Sequence, residues 1–146
     1  MASDSCPLGF GGTFGKKFIQ GVFPPEWSKL DIMVLELYPI YVLLMMFAPD
    51  LRDSTVRLLC DNQAIVSAVN CQTSRNKKVM KLIRPLVLCL LKFKIDVNAV
   101  YISSSSNKVC DTLSRQQVLE AQLLSWGLED HPSPIPAYLL PKNLKL

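Results

Sequence analysis

Four acidic residues, Asp4, Glu36, Asp61 and Asp111, stand where a fold can gather carboxylates. Asp61 follows a short β-like run, Val56-Arg57-Leu58-Leu59-Cys60, and a helix-forming stretch begins behind it. An acid between a strand end and a helix start is held at a sheet edge. Asp4 precedes the glycine-rich Gly9-Phe10-Gly11-Gly12. Glu36 sits in the apolar run Leu35-Glu36-Leu37-Tyr38, where an unpaired acid is costly. Asp111 opens the stretch Asp111-Thr112-Leu113-Ser114-Arg115. Clustered carboxylates repel one another, and a divalent cation offsets that repulsion. Mg²⁺, or Mn²⁺, suits carboxylate oxygen and water, so Asp and Glu are the expected ligands and Cys is not. The chemistry within reach is phosphodiester hydrolysis, which two such ions about 3.5–4 Å apart support. Simpler roles fit the same residues one by one: Asp61 as a helix N-cap, Asp111 as a solvated helix residue.

The elements that must position these acids are legible from pattern. Phe10–Phe14 and Phe18–Phe23 read as strands joined by a turn at Gly15-Lys16-Lys17. Ser28 with Asp31 reads as a capping box before a helix that runs to Phe47, kinked at Pro39. Val56–Cys60 is the next strand, and 62–69 a short helix. Residues 77–93 form a long helix, with Leu82, Leu86 and Leu90 at the spacing of a core-facing stripe. Val97–Ile102 is a strand, and Ser103–Ser106 reads as a plain loop. Val109–Trp126 is helical, in one or two pieces, and the Pro-rich tail from Glu129 reads as extended, a possible linker. Strands joined by tight turns pair antiparallel, and those separated by helices pair parallel. The expected class is α/β, a mixed sheet with helices packed on it.

The 146 residues fit one domain with a real core, and a 49% hydrophobic content excludes disorder by composition. The net charge of +4 permits a polyanionic partner without demanding one. Lys77, Lys81 and Arg84 recur at i, i+4, i+7, either a solvated helix face or a set of phosphate contacts. The two tryptophans read as packing residues and the sole histidine, His131, has no role. Five cysteines without a CxxC pair argue against disulfides and zinc and for a reducing, intracellular compartment, cytoplasmic or nuclear. No signal peptide is visible. The apolar run Ile32–Ala48 is too short for a membrane span and carries Glu36 and Pro39, so it reads as a buried helix.

Five motifs in order then resemble one known family. They are Leu35-Glu36-Leu37-Tyr38-Pro39-Ile40, Cys60-Asp61-Asn62-Gln63-Ala64-Ile65-Val66, Asn70-Cys71-Gln72-Thr73-Ser74, Met80-Lys81-Leu82-Ile83-Arg84 and Asn107-Lys108-Val109-Cys110-Asp111-Thr112-Leu113-Ser114-Arg115. Together they look like the ribonuclease H domain of tyrosine-recombinase (DIRS-like) retrotransposons. The resemblance covers roughly residues 3–116. It implies a ribonuclease H-like fold over 1–116, with a mixed five-stranded sheet, and leaves 117–146 as a helical extension and Pro-rich tail. It implies two-metal cleavage of the RNA strand of RNA–DNA hybrids, with Asp4, Glu36, Asp61 and Asp111 as catalytic metal ligands. It places Asn62, Gln63, Lys77, Lys81 and Arg84 against nucleic acid. In such elements a reverse transcriptase domain precedes this one in the polyprotein. The sequence departs from the family at Tyr101-Ile102-Ser103-Ser104, where the family shows His-Ile-Pro-Gly. Only Met1-Ala2-Ser3 precede Asp4 where the family has an apolar half-strand, so Asp4 is expected to fray. No polymerase sequence precedes the domain here. These departures give a second reading, an inactive, truncated or repurposed remnant that only binds nucleic acid.

Overall fold

The computed structural model describes residues 1–125 and 127–146, and Trp126, with its expected packing role, lies outside the described residues. Five strands form one sheet: β1 (Ala2–Ser5), β2 (Gly9–Phe14), β3 (Lys17–Val22), β4 (Thr55–Cys60) and β5 (Asp96–Tyr101). Their spatial order is β3-β2-β1-β4-β5. The hairpin-linked strands β1, β2 and β3 pair antiparallel, whereas β4 runs parallel to both β1 and β5. The mixed five-stranded sheet is the one expected from the spacing of turns and helices.

Two consecutive glycines show how the sheet is sandwiched. Side chains alternate faces along a strand. A Cβ on Gly11 would strike Leu113 of helix α4 (Lys108–Ser114), while one on Gly12 would strike Leu43 of helix α1 (Ile32–Phe47). Thus α4 lies close on one face and α1 on the other, and Gly11 is small because the α4 backbone passes directly over it.

Helix α1 is buried nearly all round, which is why its sequence lacks a polar stripe. It is covered by the sheet on one side and by α3 (Lys77–Phe93) on the other. Leu82, Leu86 and Leu90 of α3 are buried, as their spacing predicts. Among the described residues no helix is long and apolar enough to cross a membrane. Asp31, not Ser28, caps α1, accepting from the Met33 N–H at 2.9 Å. Ser28 is taken up in a 3-10 turn, Pro25–Lys29, that Pro25 opens. Trp27 packs in the core, stacked on Phe23 and edge-on to Tyr38.

Helix α2 (Gln63–Cys71) lies along the outer side of β5. The Asn70 side-chain amide donates to the Ala99 carbonyl at 2.9 Å and accepts from the Ala99 N–H at 2.8 Å. The expected final helix is in two pieces, α4 and α5 (Val118–Leu124), broken at Arg115–Gln117. The Pro-rich tail differs from expectation. It returns to the domain: the Ser133 N–H donates to the Phe18 carbonyl, Leu139 is fully buried, and the Tyr38 hydroxyl donates to the Leu139 carbonyl at 2.8 Å.

Candidate metal centre

The parallel pairing of β1 with β4 sets the first two acids side by side. Ala2 is in register with Leu59, so Asp4 and Asp61, each two residues further on, lie level across the two strands. Asp4 is not frayed. Strand β1 is bonded to β2 from Ala2 to Ser5, and on its other side the Leu59 N–H donates to the Met1 carbonyl at 2.8 Å. The amide of buried Asn107 also donates to the Ser3 carbonyl at 2.8 Å. Asp4 is consequently only 6% exposed. Glu36 reaches the same point from the first half of α1 and is 8% exposed.

Asp4, Glu36 and Asp61 each turn one carboxylate oxygen inward, and these oxygens lie within 4.8 Å of one another. Glu36 Oε2 is buried without a hydrogen-bond partner. Among the described residues no Lys or Arg forms an ion pair with any of the three. Burial first, then the neighbouring Asp61, pushes the Asp4 carboxyl up to about 7. Burial, then Asp4 and Asp61, pushes Glu36 up to about 8. The Ser5 backbone N–H acts against both shifts. Three converging acids with an orphaned buried oxygen and no cationic side chain fit a hard divalent cation. Thiols do not compete: burial pushes Cys60 and Cys110 up to about 12, which keeps them protonated.

Asp61 is not a helix cap. Asn62 takes that role, its Oδ1 accepting from the Ile65 N–H at 3.1 Å, which leaves the Asp61 carboxylate free for the cluster. Asp61 Oδ2 accepts a hydrogen bond from the Ser104 hydroxyl at 2.9 Å. Ser103 in turn bonds Ser105 and Ser106 at 3.0 and 2.9 Å, which ties the turn together. The stretch read as a plain loop therefore holds a ligand candidate in place. A run of four serines gave no sign of this, because the contact spans 43 residues.

Asp111 is not one of the three converging acids, but its side chain lies within hydrogen-bonding reach of the Asp4 carboxyl and helps to raise it. Its Oδ1 accepts from Arg115 Nε at 3.2 Å, an i,i+4 pair with both side chains well exposed. Such pairs are weak, so the carboxylate is easily released.

Of the expected nucleic-acid contacts, Gln63 is exposed and Asn62 is half-buried, with its amide N–H₂ free of the cap. Lys77, Lys81 and Arg84 are exposed on one side of α3. Helix α3 leads into the start of β5, at the sheet end opposite Asp61. Its last turns meet the last turns of α1 around a groove lined by Met45, Pro49, Pro85, Leu88 and Phe93. The two helices thus run side by side, and the basic first half of α3 accompanies the half of α1 that carries Glu36.

No protein-family model and no curated protein matches this sequence. Solved structures do match the fold. Ribonuclease H1 from the halophilic archaeon Halobacterium salinarum NRC-1 superposes with a TM-score of 0.57 at 13% identity, over 77% of this chain and 84% of that one. The N-terminal RNase H domain of Rv2228c from Mycobacterium tuberculosis, solved as a maltose-binding-protein fusion, superposes with a TM-score of 0.52 at 15% identity, over 80% and 94%. The chain has a ribonuclease H-like fold.

Proposed function

We propose that this chain is a ribonuclease H-type endonuclease that hydrolyses the RNA strand of RNA–DNA hybrids with Mg²⁺ or Mn²⁺ and that it comes from a DIRS-like retroelement. One observation carries the enzymatic part: Asp4, Glu36 and Asp61 converge at one sheet end, with Glu36 Oε2 buried and unpartnered. Asp4 and Asp61 hold the metal from the sheet and Glu36 holds it from α1. Asp111, released from Arg115, completes a second position. Bound there, two divalent cations supply a nucleophilic water and stabilise the leaving oxygen. The retroelement origin rests on the five sequence motifs, and so does a reverse transcriptase domain as the neighbour in the parent polyprotein.

The polyanion has a matching surface. Residues 62–95 contain seven basic residues, Arg75, Lys77, Lys78, Lys81, Arg84, Lys92 and Lys94, and no acid. The remaining sequence is net acidic, so the crossover through α2 and α3 concentrates the positive field. Lys77, Lys81 and Arg84 take backbone phosphates, a role that positions a duplex without reading its bases.

The test is a cleavage assay on a labelled hybrid, with single-stranded RNA, duplex RNA and duplex DNA beside it. Cleavage of the hybrid alone, at many positions, dependent on Mg²⁺ or Mn²⁺ and abolished by chelation, is the expected result. Cleavage that survives chelation would end this reading. Replacing Lys77, Lys81 and Arg84 together by Ala should lower the salt dependence of hybrid binding, the slope of log K against log salt falling by roughly 2–3. An unchanged slope would leave that face to solvent.

A second reading, a silent nucleic-acid binder, is favoured by the pairing of Asp111 with Arg115. It predicts hybrid binding with the same salt dependence but no cleavage under any metal.

A further inference from the structure

We infer that Ser5 is a positioning residue for the metal centre, holding the strand of Asp4 to the helix of Glu36 through a carbonyl that Pro39 leaves free. The inference rests on the metal-centre reading above and adds a residue to it.

In an α-helix the N–H of residue 39 would donate to the carbonyl of Leu35. Proline has no N–H, so Pro39 removes that bond and leaves the Leu35 oxygen without its helical donor. Leu35 is 4% exposed, so bulk water does not serve it. The donor is the Ser5 hydroxyl, at 2.7 Å, from a residue 7% exposed. A proline in the middle of a buried helix and a serine inside a strand are each unfavourable alone. Together they offset each other: the serine hydroxyl finds an acceptor, and the Leu35 carbonyl that the proline orphans finds a donor.

The position of this bond is what gives it a role at the site. Ser5 follows Asp4 in β1, and Leu35 precedes Glu36 in α1. The bond therefore joins the nearest neighbours of two of the three converging acids. It also fixes the peptide between Asp4 and Ser5, whose N–H faces both carboxyls. The sheet and α1 otherwise meet through apolar packing, which resists separation but tolerates sliding. A directional hydrogen bond at this point sets the spacing of the Asp4 and Glu36 oxygens. Residues that orient metal ligands typically change metal affinity by 10–100-fold when removed.

A double-mutant cycle tests this. In Ser5→Ala the Leu35 oxygen loses its donor. Mn²⁺ binding, measured by calorimetry on the folded protein, should weaken by about tenfold or more. Hybrid turnover should fall in kcat with KM unchanged. In Pro39→Ala the helical N–H is restored, so the Leu35 oxygen keeps a donor without Ser5, but that bond lies inside α1 and does not replace the link to β1. Pro39→Ala alone should bind Mn²⁺ like the parent, because a carbonyl oxygen can accept from two donors. Ser5→Ala combined with Pro39→Ala should recover the urea midpoint lost in Ser5→Ala but not the Mn²⁺ affinity. Two results would overturn the inference: recovery of Mn²⁺ affinity in the double variant, which makes the orphaned carbonyl and not the link the cause, or a lowered urea midpoint in Ser5→Ala with Mn²⁺ affinity intact, which is a structural role only. A parent that binds no Mn²⁺ would remove the metal centre itself, a failure visible before any variant is made.

Discussion

Asp61→Asn is expected to reduce hybrid cleavage by on the order of 10³-fold or more while leaving the fold intact. The exchange removes one charge and almost no volume. The amide oxygen can still accept from Ser104, and the helix start is capped by Asn62, so neither neighbour loses its partner. On the proposed reading, what is lost is a charge that would hold a divalent ion at the end of β4. Metal ions stabilise the charge developing in the transition state by several kcal/mol, and each ~1.4 kcal/mol is tenfold in rate. Purified protein with unchanged circular dichroism and thermal midpoint, assayed in Mg²⁺ and in Mn²⁺, provides the measurement. Cleavage at the parent rate would show that the activity lies elsewhere.

The second large effect is on stability. In chelator, the chain should become less stable as pH rises from about 4 to about 8, whereas most proteins gain stability over the acid part of this range. Asp4 and Glu36 have ordinary values of 3.8 and 4.5 in the unfolded chain and are raised to about 7 and about 8, first by burial, then by Asp61 in the case of Asp4 and by Asp4 and Asp61 in the case of Glu36. Within that window the folded state keeps protons that the unfolded state has released. Stability therefore falls with pH, is fully present below about 4, and is lost as the folded groups ionise. At ~1.4 kcal/mol per pH unit, either carboxyl alone is worth about 4–5 kcal/mol, a large part of a typical 5–15 kcal/mol. The two titrate as a pair, so the values are not summed. Urea midpoints from pH 4 to pH 9 should show the decline, Glu36→Gln should flatten it, and saturating Mg²⁺ should lift its alkaline end. A level profile in chelator would mean that the acids are already solvated or paired.

The places of Asp61 and Glu36 were legible in the sequence because local pattern fixes both. Strand periodicity ends at Cys60, so Asp61 falls on a sheet edge, and the unbroken apolar surroundings of Glu36 leave it no solvent-facing side. The long helix 77–93 was equally plain, since its leucine stripe and exposed cations obey one period. What the pattern could not show were bonds between distant elements. Ser104 reaches Asp61, Ser5 reaches Leu35, and Asn107 reaches Ser3 across 43, 30 and 104 residues. The firmness of Asp4 belongs to the same class. Counting residues before it suggests a loose end, but β2 bonds β1 along its length and β4 holds it from the other side. The tail misled for a compositional reason. Its prolines read as a linker, yet Ile135, Leu139, Leu144 and Leu146 among them fit the apolar surface around α1 and the sheet.

Asn70 bears on how this chain behaves in a crowded solution. Strand β5 ends the sheet, and an open edge offers its outward N–H and carbonyl groups to any passing strand. The Asp96 and Ile102 N–H groups donate inward to Ser54 and Cys60, so Val97, Ala99 and Tyr101 are the residues that face outward. Asn70 occupies both groups of the middle one, as a neighbouring strand would. What remains is two separated single-residue openings, too short to template a ladder. One side-chain amide thus interrupts the β5 edge as a template for a further strand.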